Sequence, residues 1–167
     1  MSGLMIGESF VGDGADAAHV NVVLGPREGP AGTAWATALA TPRAGHVPFV
    51  AVAQPGLAVQ PPTLFVNKAA IEPGRHADLT WGAAQAGVAA GVSDAVIEGI
   101  IDAGDVAGLV LIAAVWVNPA AGDEQSVFAN NREATLTALR NARDGAPPVD
   151  EVLAARDDPW NPFFRAR

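Results

Sequence analysis

Residues 11–27 read VGDGADAAHVNVVLGPR, and the fold turns on this stretch because a glycine turn runs straight into a β-branched strand. Gly12-Asp13-Gly14 is a turn signal and residues 4–11 before it read as a first strand, so the two strands form a hairpin. In the second strand Val20, Val22 and Leu24 alternate with His19, Asn21 and Val23. The first set faces a core, while His19 and Asn21 share the opposite face. Gly12-x-Gly14-x-x-Ala17 superficially matches a dinucleotide-binding fingerprint. That motif needs a helix after the turn to hold the pyrophosphate, and here a strand follows.

Working outward, Gly25-Pro26-Arg27 ends the strand, and residues 30–40 have helical spacing between Pro30 and Pro42, with Trp35 and Leu39 on the expected buried side. Residues 47–53 read as a third strand, 55–62 as a rigid loop, and 63–71 as a fourth strand with Leu64, Val66, Lys68 and Ala70 on one face. Residues 79–101 carry a long helical pattern interrupted by Gly82, Gly87, Gly91 and Gly99. Each interior glycine costs a helix about 1 kcal/mol relative to alanine, so this spacing predicts close backbone packing against a sheet or a neighbouring subunit. Residues 106–117 are nearly all apolar, which fits a central strand covered on both faces. Asp123 is the expected N-cap of a helix reaching about Arg143, stopped by Gly145. The order of elements predicts an α+β fold: one sheet with helices packed on one face. Residues 1–145 form the expected domain and 146–167 a tail, whose Trp160, Phe163 and Phe164 should dock on the domain or on a neighbouring subunit.

Composition limits what such a fold can do. The chain has 167 residues, of which 50% are hydrophobic, enough for one domain with a sizeable core. A net charge of -8 with no segregated basic patch speaks against nucleic acid as a partner. The longest apolar run is shorter than the roughly 18 residues of a membrane span, and the N-terminus lacks a basic leader region, so a cytoplasmic protein is expected. There is no cysteine, which excludes disulfides and thiolate metal sites. Asp13, Asp16 and His19 could be scanned as metal ligands. Turn aspartates usually bond the backbone, and no metal is expected.

Two side chains stand out as chemistry. His19 titrates near neutral pH and can give or take a proton there, although a histidine satisfied by a backbone carbonyl is the bland alternative. Lys68, the only lysine among ten basic residues, lies in an apolar strand, where it either guards a sheet edge or serves a site.

At this point the chain resembles a known family. Gly7-Glu8, Val11-Gly12-Asp13-Gly14, Ala18-His19, Gly25-Pro26-Arg27, Thr33-Ala34, Thr63-Leu64, Asn67-Lys68, Ala84-Gln85-x-Gly87-Val88-Ala89 and Asp94-Ala95-Val96-x-Glu98-Gly99-Ile100-Ile101 keep the spacing of the formaldehyde-activating enzymes of methylotrophs and methanogens. The resemblance runs from about residue 5 to about 143. It implies a fold like the second domain of ribosomal protein S5, a homopentamer, and a pterin site between neighbouring subunits. It also implies condensation of formaldehyde with tetrahydromethanopterin, as co-substrate, to methylene-tetrahydromethanopterin and water. His19 falls on the family's catalytic position, and Asn21, Val50, Lys68, Ala70 and Gln85 fall on its pterin-contacting positions. Three of these differ from the family pattern: Asn21 stands for aspartate, Val50 for leucine and Ala70 for threonine. Those departures keep open a non-catalytic paralogue that binds a pterin, a folate or a small aldehyde. A purely structural oligomer is the third reading.

A Lys68 Schiff base with formaldehyde is a further possible chemistry, in competition with the pterin's own nucleophilic nitrogen.

Overall fold

The computed structural model describes residues 3–165. The opening hairpin forms as its turn residues dictate. Strand β1 (Met5–Val11) pairs antiparallel with β2 (Ala18–Pro26), with Phe10 opposite His19 and Glu8 opposite Asn21. A single 3-10 turn, Gly14–Asp16, fills the connection. The Asp16 carboxylate accepts from the backbone N–H of Gly122 and Asp123, the structural use expected of a turn aspartate.

Helix α1 (Pro30–Ala40) follows, then the short strands β3 (Phe49–Val50), β4 (Val52–Gln54) and β5 (Leu57–Ala58), and β6 (Thr63–Asn67). Helix α2 (Arg75–Leu79) passes through a π-helical turn, Thr80–Ala84, into α3 (Gln85–Ile97). Strand β7 (Leu109–Trp116) and the long α4 (Glu124–Asp144) complete the layer structure. The main sheet has the order β1-β2-β7-β6-β3, antiparallel throughout except for β6 beside β7.

The core lies between one sheet face and α3–α4, where Ala18, Val20, Val22 and Leu24 of β2 meet Val88, Val92, Ala138 and Leu139. Burying an aliphatic side chain of this kind stabilises the fold by about 1.5–3 kcal/mol. The helical glycines have a clear cause. A Cβ on Gly87 would lie 2.5 Å from the Phe128 carbonyl oxygen, and one on Gly91 would lie 2.5 Å from that of Arg132, so α3 presses against the α4 backbone. Gly7 likewise lets β1 pass the Ala138 carbonyl. The close neighbour is therefore α4 of the same chain.

Several expectations are corrected. The strand expected at 47–53 breaks at Ala51, whose N–H bonds Thr63 O, and β4 turns away to pair with β5 inside the expected loop. The fourth strand ends at Asn67, so Lys68 and Ala70 lie beyond it. Strand β6 sits between β7 and β3, which removes the sheet-edge role for Lys68. The outer half of β7 is only half-buried at Ile112, Ala114 and Trp116, so it is covered fully on one face alone. Helix α1 buries only Ala31, which approaches Gly25 on the His19 side of the sheet; Trp35 is half-buried and Leu39 exposed. That helix is the exception to helices on one face.

The tail forms a short helix α5 (Val149–Ala154) and a two-stranded ribbon, β8 (Trp160–Asn161) with β9 (Phe164–Arg165). Phe163 at its tip sets its ring edge-on to Trp116, with centroids 5.7 Å apart. No helix among the described residues is long and apolar enough to cross a membrane.

Candidate functional site

Register, more than any single motif, builds the site. Residues directly opposite in antiparallel strands point to the same face, so Glu8 and Phe10 of β1, Asn21 and His19 of β2, and Ala114 and Trp116 of β7 stand together away from the core. The chain leaving β6 adds Lys68, whose backbone N–H still bonds Val115 O at 2.8 Å. Glu8, Phe10, His19, Asn21, Lys68 and Trp116, together with the tail ribbon, line one cavity of about 720 Å³. That volume suits a small organic molecule, and the lining supplies both flat apolar walls and a few polar groups.

The polar groups are paired within the cavity. His19 Nε2 lies 2.9 Å from Glu8 Oε1, and Lys68 Nζ donates to Asn21 Oδ1 at 2.7 Å. Burial lowers the His19 pKa below its ordinary 6.5 and the Lys68 charge lowers it further, while the Glu8 carboxylate opposes both. Burial also brings Lys68 down to about 8, against the pull of Glu8. The site therefore holds two titratable groups whose pKa values are both lowered by their surroundings, an imidazole and an amine.

The other histidines have the bland arrangement. His76 is buried, takes the Glu72 N–H on Nδ1 and bonds Val117 O through Nε2. His46 Nδ1 meets Asn67 O at 3.0 Å. His19 alone of the three is paired with a carboxylate.

Of the six positions picked out from sequence, the structure brings His19, Asn21 and Lys68 into this cavity. It places Val50 and Gln85 elsewhere: with Val47, Phe49, Val52 and Trp81 they line a second cavity of about 430 Å³ at the β3 side of the sheet. Gln85 is buried there, with its Oε1 accepting the Val52 N–H at 2.6 Å. Ala70 is exposed in the loop after β6, next to Gly45, and lines neither cavity.

Sequence reasoning missed Glu8 and Trp116 as members of the site. Counting back from a Gly12–Gly14 turn would set Glu8 opposite Ala18; the 3-10 turn lengthens the connection to residues 12–17 and sets Glu8 opposite Asn21. Trp116 needed the β2–β7 register, which no local pattern carries. Among the described residues there is no group of three histidine or carboxylate side chains that could hold a metal.

Fold and cavity together define an α+β protein with a compact His–Glu and Lys–Asn constellation on the open face of its sheet, suited to proton transfer on a small molecule. A family model for the formaldehyde-activating enzyme (Fae) matches residues 6–164, and the chain belongs to that family. The match extends over the tail as well as the sheet. The chain is 39% identical over 159 residues to the 5,6,7,8-tetrahydromethanopterin hydro-lyase of Methanosarcina barkeri, covering 95% of this chain and 89% of the relative. It is 40% identical over 158 residues to the bifunctional enzyme Fae/Hps of Archaeoglobus fulgidus, covering 95% of this chain and 40% of the relative. The bifunctional enzyme of Methanococcoides burtonii is 40% identical over 154 residues, with 92% of this chain and 39% of that protein covered. The chain thus spans about two fifths of the length of the bifunctional relatives it matches.

Proposed function

We propose that this chain is a hydro-lyase of the formaldehyde-activating type, which condenses formaldehyde with tetrahydromethanopterin to the methylene derivative and water. Family membership and the M. barkeri relative's name support the reaction class. The observation that carries the reading is the convergence on one cavity of His19 and Asn21, neighbours on one strand, with Lys68, which lies 47 residues beyond Asn21 in the sequence.

Addition of a pterin nitrogen to formaldehyde gives a carbinolamine. Closing the methylene bridge onto the second nitrogen requires the carbinolamine oxygen to leave, and hydroxide leaves poorly. A His19 imidazolium protonates that oxygen so that it departs as water, a general-acid contribution of typically 10²- to 10⁴-fold. Lys68 and Asn21 hold the pterin beside it, and alignment of the reactants in the cleft adds an orientational gain. Because His19 must be protonated to act, and its pKa is held below 6.5, the rate falls as pH rises through that lowered value.

Val50, Gln85 and Ala70 enter the same reading through assembly. The chain forms a homopentamer in the cytoplasm, with an S5 domain 2-like subunit, and the β3-side cavity of one copy meets the His19 cavity of its neighbour around the pterin. The separation of the two cavities within one chain supports this arrangement. Methylene-pterin formation measured above the spontaneous rate tests the activity, with no acceleration at any protein concentration contradicting it.

A binding paralogue without turnover is the second reading, favoured by Asn21, whose neutral amide gives Lys68 no charged partner at 2.7 Å. Tight pterin or folate binding with no rate enhancement would select it.

A further inference from the structure

Among the described residues, Glu8 is the one carboxylate lining the His19 cavity. It stands on the sheet's first strand, directly across the register from Asn21, with its neighbour Phe10 opposite His19 and tilted against the imidazole at 6.1 Å. Its Oε1 reaches His19 Nε2 at 2.9 Å. Among the described residues, the charged and titratable groups that face His19 are Glu8 from β1 and Lys68 from the chain after β6; Asn21, Trp116, Trp160, Asn161 and Phe163 contribute uncharged side chains. A cation such as Lys68 beside an imidazole opposes its protonation, and so does partial burial. Only Glu8 works in the other direction.

We propose that Glu8 is the positioning residue of the His19 proton donor: its carboxylate accepts the Nε2–H, holds the ring in one orientation, and leaves Nδ1 to hand its proton to the departing oxygen. The inference rests on the hydro-lyase reading above and deepens it. The bookkeeping is complete without another reactant. The imidazolium carries protons on both nitrogens; Nδ1–H goes to the carbinolamine oxygen, that carbon–oxygen bond breaks, and water leaves. The first nitrogen's lone pair replaces the broken bond, the second pterin nitrogen closes on that carbon and releases its N–H proton, and the neutral ring, still bonded through Nε2–H to Glu8, regains an Nδ1 proton through solvent. The carboxylate thereby selects the tautomer that remains after transfer and stabilises the charged form before it.

Asn21 makes this role necessary in this chain. Its amide is occupied as an acceptor from Lys68 and carries no charge. The negative charge on this sheet face therefore comes from the adjacent strand.

The test uses the intact chain and the variants E8Q, E8D and E8Q/N21D. The Glu8 side chain is 58% exposed, so E8Q leaves the core untouched. Two measurements are made on each: His19 titration by NMR, which needs no substrate, and the pH profile of methylene-tetrahydromethanopterin formation. In E8Q the His19 titration moves to lower pH and the fall of rate with pH moves with it. The rate at pH 7 drops about 10- to 100-fold, part of the usual general-acid contribution. E8D recovers part of the loss, and E8Q/N21D restores charge from the facing strand and moves the His19 titration back up. An E8Q protein whose His19 titration and pH profile match the unmodified protein overturns the proposal. An unmodified protein with no activity defeats the hydro-lyase reading instead, and the NMR titration still decides whether Glu8 controls His19.

Discussion

Lys68 is the chain's only lysine, so its titration can be read without assignment, for example from a single side-chain 15N-lysine signal. Its half-buried position brings its pKa from the ordinary 10.5 to about 8. The folded protein therefore loses this proton near pH 8, while the unfolded chain keeps it to about 10.5. Between those values the unfolded state binds more protons, so this group's contribution to stability increases as pH rises. An ammonium signal that titrates at the ordinary lysine value would contradict the partly buried placement. His19 and Asn21 were legible as one face of one strand because alternation is local. The apolar surroundings of Lys68 left it either an edge guard or a site residue, and the interior place of β6 then removed the first of these roles. Glu8 and Trp116 were not legible as site residues, because membership depends on which strands become neighbours.

At the scale of elements, the contact between α3 and α4 is set by backbone proximity. Gly87→Ala is expected to destabilise the chain by about 1–3 kcal/mol, the usual cost of overpacking, because its Cβ would meet the Phe128 carbonyl and the Asn131 side chain. Gly82→Ala meets nothing within 4 Å and is expected to be neutral or to stabilise by up to about 1 kcal/mol. Denaturant midpoints of the two variants check the contrast, and equal effects would place the cause in helix propensity alone. Asp123→Ala removes the bond from the Ser126 N–H and should lower the midpoint in the same measurement. Helix α4 was readable from cap to cap because Asp123 and the left-handed Gly145 are local signals. The third strand was misread because its break is made from a distance: Thr63 O holds Ala51 and the Gln85 side chain holds Val52.

For the whole molecule, the single chain leaves apolar surface that its own fold does not cover. Ile6 is 64% exposed on the His19 side of the sheet, and Trp81 is 56% exposed beside the second cavity. Patches of this kind mark association surfaces when they are contiguous with a site. The proposed pentamer predicts a solution mass about five times the 17.0 kDa of the chain by light scattering, and a mass of one chain would contradict it. The sheet and its helices could be read from local pattern as an α+β class. The division of five of the six candidate positions between two cavities, with Ala70 in neither, could not, since it depends on packing between distant segments.

The most direct test of the central claim is the rate of methylene-tetrahydromethanopterin formation from formaldehyde, above the spontaneous reaction, for the unmodified protein and for His19→Ala side by side. The account predicts acceleration by the first and its loss, by about 10²-fold or more, in the second. Equal acceleration by both proteins would contradict the role given to His19, and acceleration by neither would contradict the hydro-lyase reading itself.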